Sequence, residues 1–417
     1  MMGIPIAVAI GLTAMGVMYW MGGLDLIVMV IQRMYASTTS FPLLAIPFFI
    51  LAGNVMNSGG MTHRIFDFAQ VLVGRVPGAL GHVNVVASML FAGMSGSAIA
   101  DAAGLGTVQI AAMRKAGYPD DFSAALTAVS STIGPIIPPS IPFVIYGSLA
   151  NVSVGALFLG GVVPGVLMGL SLMATIAIVA IRREFPRPER PADFKAALRI
   201  TLEALPAVLT PVILVGGMLA GLFTPTEAAV VASLYALLLG AFGYRELRAR
   251  DLPPVLWETA KQTIQVMFII ASAGAFGWIL IQQNIPEAIV AGMLSISKEP
   301  WVLLLLINII LLILGMFLEA IAIMIIVLPI FMPMLPQLGV SPVHFGVILV
   351  LNLMIGLVTP PVGLCLYAVS SVSGVPLMKI FFAAWPYIVA LIVVLGIITY
   401  VPPVVMWLPN FLTGAVS

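Results

Sequence analysis

Apolar residues fill this chain in long runs, and polar residues fall mainly between them. The runs extend over 2–21, 41–57, 80–113, 121–150, 154–181, 204–222, 226–243, 262–284, 301–335, 343–372 and 376–408. A helix needs about 20 apolar residues to cross a bilayer, so the pattern predicts roughly ten crossings, some broken or incomplete. No Asp, Glu, Lys or Arg occurs from Phe122 to Ile181, from Ala320 to Met378, or from Ile380 to the end. Lipid is the solvent for such stretches. The segment 61–75, with His63, Arg64, Asp67 and Arg75 among apolar residues, has the pattern of an amphipathic helix in the membrane interface.

Composition narrows the function classes. Of 417 residues, 61% are hydrophobic and 8% charged, against about 25% charged in average chains. The expected protein is all-α, polytopic and embedded in the lipid bilayer, not a cytosolic enzyme. The net charge of +1 gives no reason to expect nucleic acid as a partner. Cys365 is the lone cysteine, and His63, His82 and His344 are scattered, so neither a disulfide nor a transition-metal site is predicted. An intramembrane enzyme would need a nucleophile–base pair or a metal cluster, and the sequence offers neither. Ten of the 17 Lys and Arg fall in two patches, Arg182 to Arg199 and Arg245 to Lys261. A helical hairpin broken at Thr224-Pro225-Thr226 separates them, and the positive-inside rule puts both on the cytoplasmic side. Thr224-Pro225-Thr226-Glu227 reads as a capping box.

An internal repeat carries more information. At an offset of 222 residues, Gly93-Met94 and Ala98-Ile99-Ala100 match Gly315-Met316 and Ala320-Ile321-Ala322. The same offset pairs Gly117 with Gly339, Ile133-Gly134 with Ile355-Gly356, Pro138-Pro139 with Pro360-Pro361, and Pro164 with Pro386. Arg114-Lys115 in the first copy corresponds to uncharged Pro336-Gln337 in the second, which predicts that the copies are inverted across the membrane.

The Pro-Pro pairs locate candidate chemistry. Lacking N–H groups, Pro138 and Pro139 deprive the carbonyls of Gly134 and Pro135 of helical partners. Pro360 and Pro361 do the same to Gly356 and Leu357. An unsatisfied carbonyl in hydrocarbon costs several kcal/mol, so such breaks persist where protein, water or an ion supplies a substitute. Ser140 and Thr359 add hydroxyls there. The run from Phe91 to Gly106, with Ser95, Ser97 and many small residues, suits the tip of a re-entrant hairpin. In the second copy Glu319 stands where the first has Ser97. No Gly-Lys-Ser/Thr follows, so an ATPase motor is not encoded. Asp101 and Glu319 are isolated acids in apolar surroundings, candidates for hairpin stabilisation or for ion coupling. Arg114 is either positive charge near a substrate path or an interfacial anchor.

Four blocks resemble the large membrane subunit of the TRAP (tripartite ATP-independent periplasmic) transporters. They are Gly93 to Asp101, Ile133 to Ser140, Thr224 to Ala228, and Asn352 to Gly363. The resemblance runs from Pro5 to about Trp407. It implies an inverted-repeat elevator fold with two re-entrant hairpins and broken transmembrane helices. It further implies sodium-coupled import of an organic anion across the bacterial inner membrane, with Na⁺ as coupling ion and no organic cofactor. A periplasmic substrate-binding protein and a small four-helix membrane subunit would be the partners. The implied division is 1–78 and 182–300 as scaffold, 79–181 and 301–408 as the two repeats of a transport domain, and 409–417 as a tail. One sodium site would use Ser95 or Ser97 with carbonyls of Gly134, Ile137 and Pro139; the second would use Gly315, Gly356, Thr359 and Val362. Substrate would lie between tips and breaks, near Ser95, Ser97, Ser140, Glu319 and Thr359. A stand-alone ion-coupled carboxylate transporter, working without a binding protein, is the alternative.

Overall fold

The computed structural model describes residues 5–74, 76, 78–182, 185–186 and 193–414, and every regular element among them is helical. The chain opens with α1 (Ile6–Gly22), α2 (Leu24–Thr38), α3 (Ala45–Ser58) and α4 (Met61–Val73). Gly23 turns α1 into α2 at a φ of 71°, a conformation glycine adopts without steric penalty. The apolar runs did not predict α2, because Asp25 and Arg33 interrupt its 15 residues. Arg33 instead lies 5.0 Å from the Trp278 ring centroid, where the aromatic face holds the cation. Helix α4 coincides with the amphipathic segment predicted over 61–75. Its Arg64 pairs with Glu246 at 2.7 Å and covers the Tyr244 ring.

The first repeat comprises α5 (Ala79–Ser95), α6 (Ala98–Lys115), α7 (Asp120–Ser130), α8 (Ile141–Ala150) and α9 (Val154–Arg182). Four helices follow: α10 (Phe194–Leu219), α11 (Pro225–Leu238), α12 (Leu252–Gln282) and α13 (Ile285–Ile296). The second repeat comprises α14 (Pro300–Phe317), α15 (Ala320–Phe331), α16 (Leu335–Leu338), α17 (Pro342–Gly356), α18 (Leu364–Ser373) and α19 (Leu377–Tyr400), before a final α20 (Pro403–Thr413). Shifted by 222, the starts of α5 to α9 fall at 301, 320, 342, 363 and 376, each within one residue of α14, α15, α17, α18 and α19. The duplication read from scattered Gly and Pro is therefore a duplication of structure.

Eight helices among the described residues are long and apolar enough to cross a membrane. Helices α10 and α12 each begin about three turns before the runs predicted at 204 and 262, since exposed charged turns extend a helix beyond its apolar part. Arg183, Arg187 and Arg190 of the first basic patch lie outside the described residues, as does Arg75. The predicted capping box is present: the Thr224 and Glu227 side chains exchange hydrogen bonds with each other's backbone N–H.

Each repeat pins its entering helix to the helix that precedes its break. In the first, Asn84 Nδ2 donates to Thr127 Oγ1 at 2.8 Å, and Ser130 Oγ donates to Asn84 Oδ1 at 2.7 Å. In the second, Asn352 Nδ2 donates to Asn308 Oδ1 at 2.8 Å. Ser130 and Asn352 are 222 residues apart. Such interhelical bonds contribute about 0.6 kcal/mol each in a membrane, enough to fix register rather than to hold the fold. Tyr146 Oη joins the two repeats by donating to the Pro342 carbonyl at 2.6 Å.

Candidate functional site

Two breaks interrupt the repeats at matching places. The first runs from Ser131 to Ser140, between α7 and α8; the second from Leu357 to Gly363, between α17 and α18. Both Pro-Pro bonds, Pro138-Pro139 and Pro360-Pro361, are cis. Of the four carbonyls expected to lose partners, only Gly134 accepts no hydrogen bond among the described residues. The carbonyls of Ile137 and Pro139 are also free of them. Pro135 O accepts the Ser140 hydroxyl, Gly356 O accepts Thr359 N at 3.1 Å, and Leu357 O accepts Cys365 N at 3.0 Å. The correction has a simple cause, because a tight turn after each break returns donors to carbonyls that a straight helix would have orphaned. A carbonyl oxygen keeps a second lone pair after one such bond.

The hairpin tips press directly on the breaks. At the first, Gly96 has a φ of 60°, and a Cβ there would stand 2.8 Å from Pro139 O and 3.1 Å from Ile141 N. At the second, a Cβ on Gly356 would lie 2.6 to 2.8 Å from the Cα, carbonyl carbon and carbonyl oxygen of Gly315. Val362 N donates to Met316 O at 3.1 Å, which closes the contact from the other side of the break. Gly315, Gly356 and Val362 are thus together as predicted for the second sodium site. Thr359 is buried beside them, with its hydroxyl donating to Ile355 O at 2.7 Å.

Asp101 sits behind the first tip. It is 2% exposed, and neither carboxylate oxygen has a hydrogen-bonding partner. Its Oδ2 would lie 2.3 Å from a Cβ on Gly134, so the acid packs against the break at a position only glycine leaves open. Ser97 and Glu319, equivalent by the repeat, cap α6 and α15. Ser97 Oγ accepts Ala100 N at 3.4 Å; Glu319 Oε2 accepts Ile321 N at 2.8 Å and Ala322 N at 3.1 Å. Glu319 thus caps the start of α15 at the second tip.

Between the tips lies a cavity of about 660 Å³. Ser95, Ser97 and Glu319 line it as expected, with Pro135 and Leu357 from the two breaks. Ser140 and Thr359 do not, since both are buried in backbone contacts of their own breaks. The opposite wall is polar in a way that sequence reading missed. Asn54 and Asn57 on α3 face Glu258, Gln262 and Gln265 on α12. Asn54 Nδ2 donates to Thr259 Oγ1 at 3.0 Å and to Gln262 Oε1 at 3.3 Å, tying the two helices together. The spacing of 258, 262 and 265 puts three polar residues on one face of α12, and that periodicity was the available signal. Arg114 is at the far end of α6, roughly 25 Å from Ser97 at 1.5 Å per residue. There it pairs with Asp120 at 2.7 Å and donates to the Ser373 carbonyl, so it does not serve the cavity.

The geometry defines a multi-pass membrane protein built from two related halves, whose broken helices meet re-entrant tips beside a central cavity. Residues 1–404 match the family described as the tripartite ATP-independent periplasmic transporter, DctM component, and the chain belongs to that family. It is 46% identical over 386 residues to the sialic acid TRAP transporter large permease protein SiaM of Vibrio cholerae, covering 92% of this chain and 90% of the relative. It is 44% identical over 380 residues to the C4-dicarboxylate TRAP transporter large permease protein DctM of Pseudomonas aeruginosa, covering 91% and 89%. In fold it is similar to the YdaH transporter of Alcanivorax borkumensis, with a TM-score of 0.67 over 97% of this chain and 98% of that one, at 15% identity. The protein is accordingly a TRAP transporter large permease of the inner membrane and not an enzyme.

Proposed function

We propose that this permease imports an organic anion by sodium-coupled secondary active transport. Substrate would arrive from a periplasmic binding protein, and a small four-helix membrane subunit would complete the permease. Relatives named for sialic acid and for C4-dicarboxylates support a carboxylate as cargo. The tripartite character of the family disfavours the stand-alone carrier.

One observation carries the coupling: at equivalent places, a hairpin tip meets a broken helix backbone to backbone beside the same cavity. Na⁺ is a hard cation that takes oxygen ligands, and broken helices in transporters supply them as carbonyls at half-helix ends. The first site would draw on Ser95 or Ser97 with the carbonyls of Gly134, Ile137 and Pro139, which accept no other hydrogen bond. Asp101 is buried behind it, against Gly134. The second would draw on Gly315, Gly356, Thr359 and Val362. A cation shared by tip and break would order the cavity wall, so that substrate binds better to the loaded protein.

The same contacts favour an elevator. Hydrogen bonds tie α3 to α11 and α12, through Ser233 to Phe48 and Asn54 to Gln262. Others tie the two repeats together, through Tyr146 to Pro342. Where the groups meet, Gly53 on α3 packs on the Ser95 backbone and Gly104 on α6 packs on Asn57. These close approaches lie among apolar side chains that meet across the same boundary, Phe49 standing edge-on to Phe158. On this reading 79–181 and 301–408 move against 1–78 and 182–300.

The test is uptake into proteoliposomes holding the permease, its small subunit and the cognate binding protein. Accumulation should require an inward Na⁺ gradient, and equal uptake on a proton gradient alone would overturn the proposal. Thr359→Ala should raise the sodium requirement about fivefold or more, the loss of one polar ligand being equivalent to about 1 kcal/mol. Thr359→Ser, which keeps the hydroxyl, should restore it; equal sodium dependence in all three proteins would remove Thr359 from the site.

A further inference from the structure

A polar pair stands behind the second break, and the fold gains little from it. Asn308 on α14 and Asn352 on α17 are 7% and 0% exposed, each within an apolar run of its helix. Asn352 Nδ2 donates to Asn308 Oδ1 at 2.8 Å and to the Asn308 carbonyl at 3.0 Å. Asn308 Nδ2 in turn donates to Leu304 O at 3.0 Å and to Thr399 Oγ1 on α19 at 3.1 Å. Because two oxygens of Asn308 face it, the nitrogen end of the Asn352 amide must point there. Asn352 Oδ1 points away, buried and without a hydrogen-bonding partner among the described residues. A buried acceptor left without a donor costs about as much as two interhelical hydrogen bonds return in a membrane, or more. Stability therefore does not account for Asn352, and residues that break a packing rule at net cost are expected where function demands them.

Its place in the fold supplies the demand. Asn352 is one turn before Gly356 on α17, and Asn308 is two turns before Gly315 on α14, so each shares a helix face with the glycine. Gly315 and Gly356 meet backbone to backbone, and neither has a side chain to index one helix against the other. Among the described residues, the Asn pair makes every side-chain hydrogen bond between α14 and α17. It fixes how far along and how far around its axis α14 presents Gly315 to the break. The first repeat does the same with another residue type. Ser130, 222 residues before Asn352, is one turn before Gly134, and its hydroxyl donates to Asn84 Oδ1 on α5 at 2.7 Å.

We infer that Asn352, held by Asn308, is a positioning residue for the second sodium site and sets the register in which tip and break offer their oxygens to the cation. The inference rests on reading Gly315, Gly356, Thr359 and Val362 as that site. Neither Asn lines the central cavity, so the effect falls on sodium.

The experiment follows the melting temperature of the purified permease, with its small subunit, in NaCl against KCl at constant ionic strength. Asn352→Leu is close in volume and removes the orphaned acceptor, so its melting temperature in potassium should equal or exceed that of the wild type. Its sodium midpoint should nonetheless rise about five- to tenfold, the equivalent of two interhelical hydrogen bonds. A residue serving packing alone would behave in the opposite way. A lower melting temperature in potassium with an unchanged sodium midpoint would therefore overturn the inference. The double variant Asn308→Leu/Asn352→Leu removes both amides and gives a second measurement of the same two quantities. A wild type that melts alike in sodium and potassium would overturn the sodium reading, and this inference with it. A wild-type sodium response that both variants keep would overturn the inference alone.

Discussion

Gly356→Ala is expected to raise the sodium concentration for half-maximal uptake by roughly 10- to 100-fold. The reason is steric. The added methyl would sit 2.6 Å from Gly315 Cα and 2.8 Å from Gly315 O, and both are backbone atoms of a packed helix. No side chain can swing away to make room, so the tip of α14 must retreat from the break. Overpacking of this kind costs about 1–3 kcal/mol, which corresponds to that span of affinity. The effect should fall on sodium, because Gly356 is absent from the lining of the central cavity. Gly396→Ala in α19 is the control. A Cβ there meets nothing within 4 Å, so uptake and its sodium dependence should stay unchanged. A sodium titration of initial uptake rates reads both. Equal titrations for the wild type and Gly356→Ala would mean that the contact is not a cation site.

At the first break, Gly96→Ala should be at least as damaging and should show a different signature. A Cβ at Gly96 faces Pro139 O at 2.8 Å, and the residue holds a left-handed φ of 60°. The left-handed conformation costs a non-glycine residue roughly 1–2 kcal/mol before any clash is counted. Because Gly96 also lines the cavity, its displacement should weaken both sodium and substrate. The expected result is a rise of about tenfold or more in the substrate KM at saturating sodium, together with a raised sodium requirement. A shift in sodium alone would show that the tip does not shape the substrate wall.

Much of this fold was legible because glycine and proline mark backbone events wherever they fall. Pro138-Pro139 and Pro360-Pro361 announced the breaks, and Gly93 with Gly315 announced the tips, at one offset. What the sequence did not yield depends on tertiary geometry. Ser140 looked like a cavity hydroxyl, but the turn folds it back onto Pro135 O. Asn54 and Gln262 are 208 residues apart, and only the packing of α3 on α12 makes them one wall. Helix α2 went unpredicted because the Trp278 face that holds Arg33 comes from α12, far along the chain. Arg114 offered two readings, charge near a substrate path or an anchor at a helix end, and the structure has it joining the ends of α6 and α18 through Ser373. The cap that Glu319 places on the α15 amides depends on a side-chain geometry no spacing discloses.

The central claim is that the paired breaks bind sodium. The most direct measurement is the melting temperature of the purified permease, with its small subunit, titrated with NaCl against KCl at constant ionic strength. Ligands that bind only the folded state raise its stability by mass action. Sodium should raise the melting temperature where potassium does not. Gly356→Ala and Gly96→Ala should each lose part of that rise, and Gly396→Ala none. Identical curves in sodium and potassium would contradict the account.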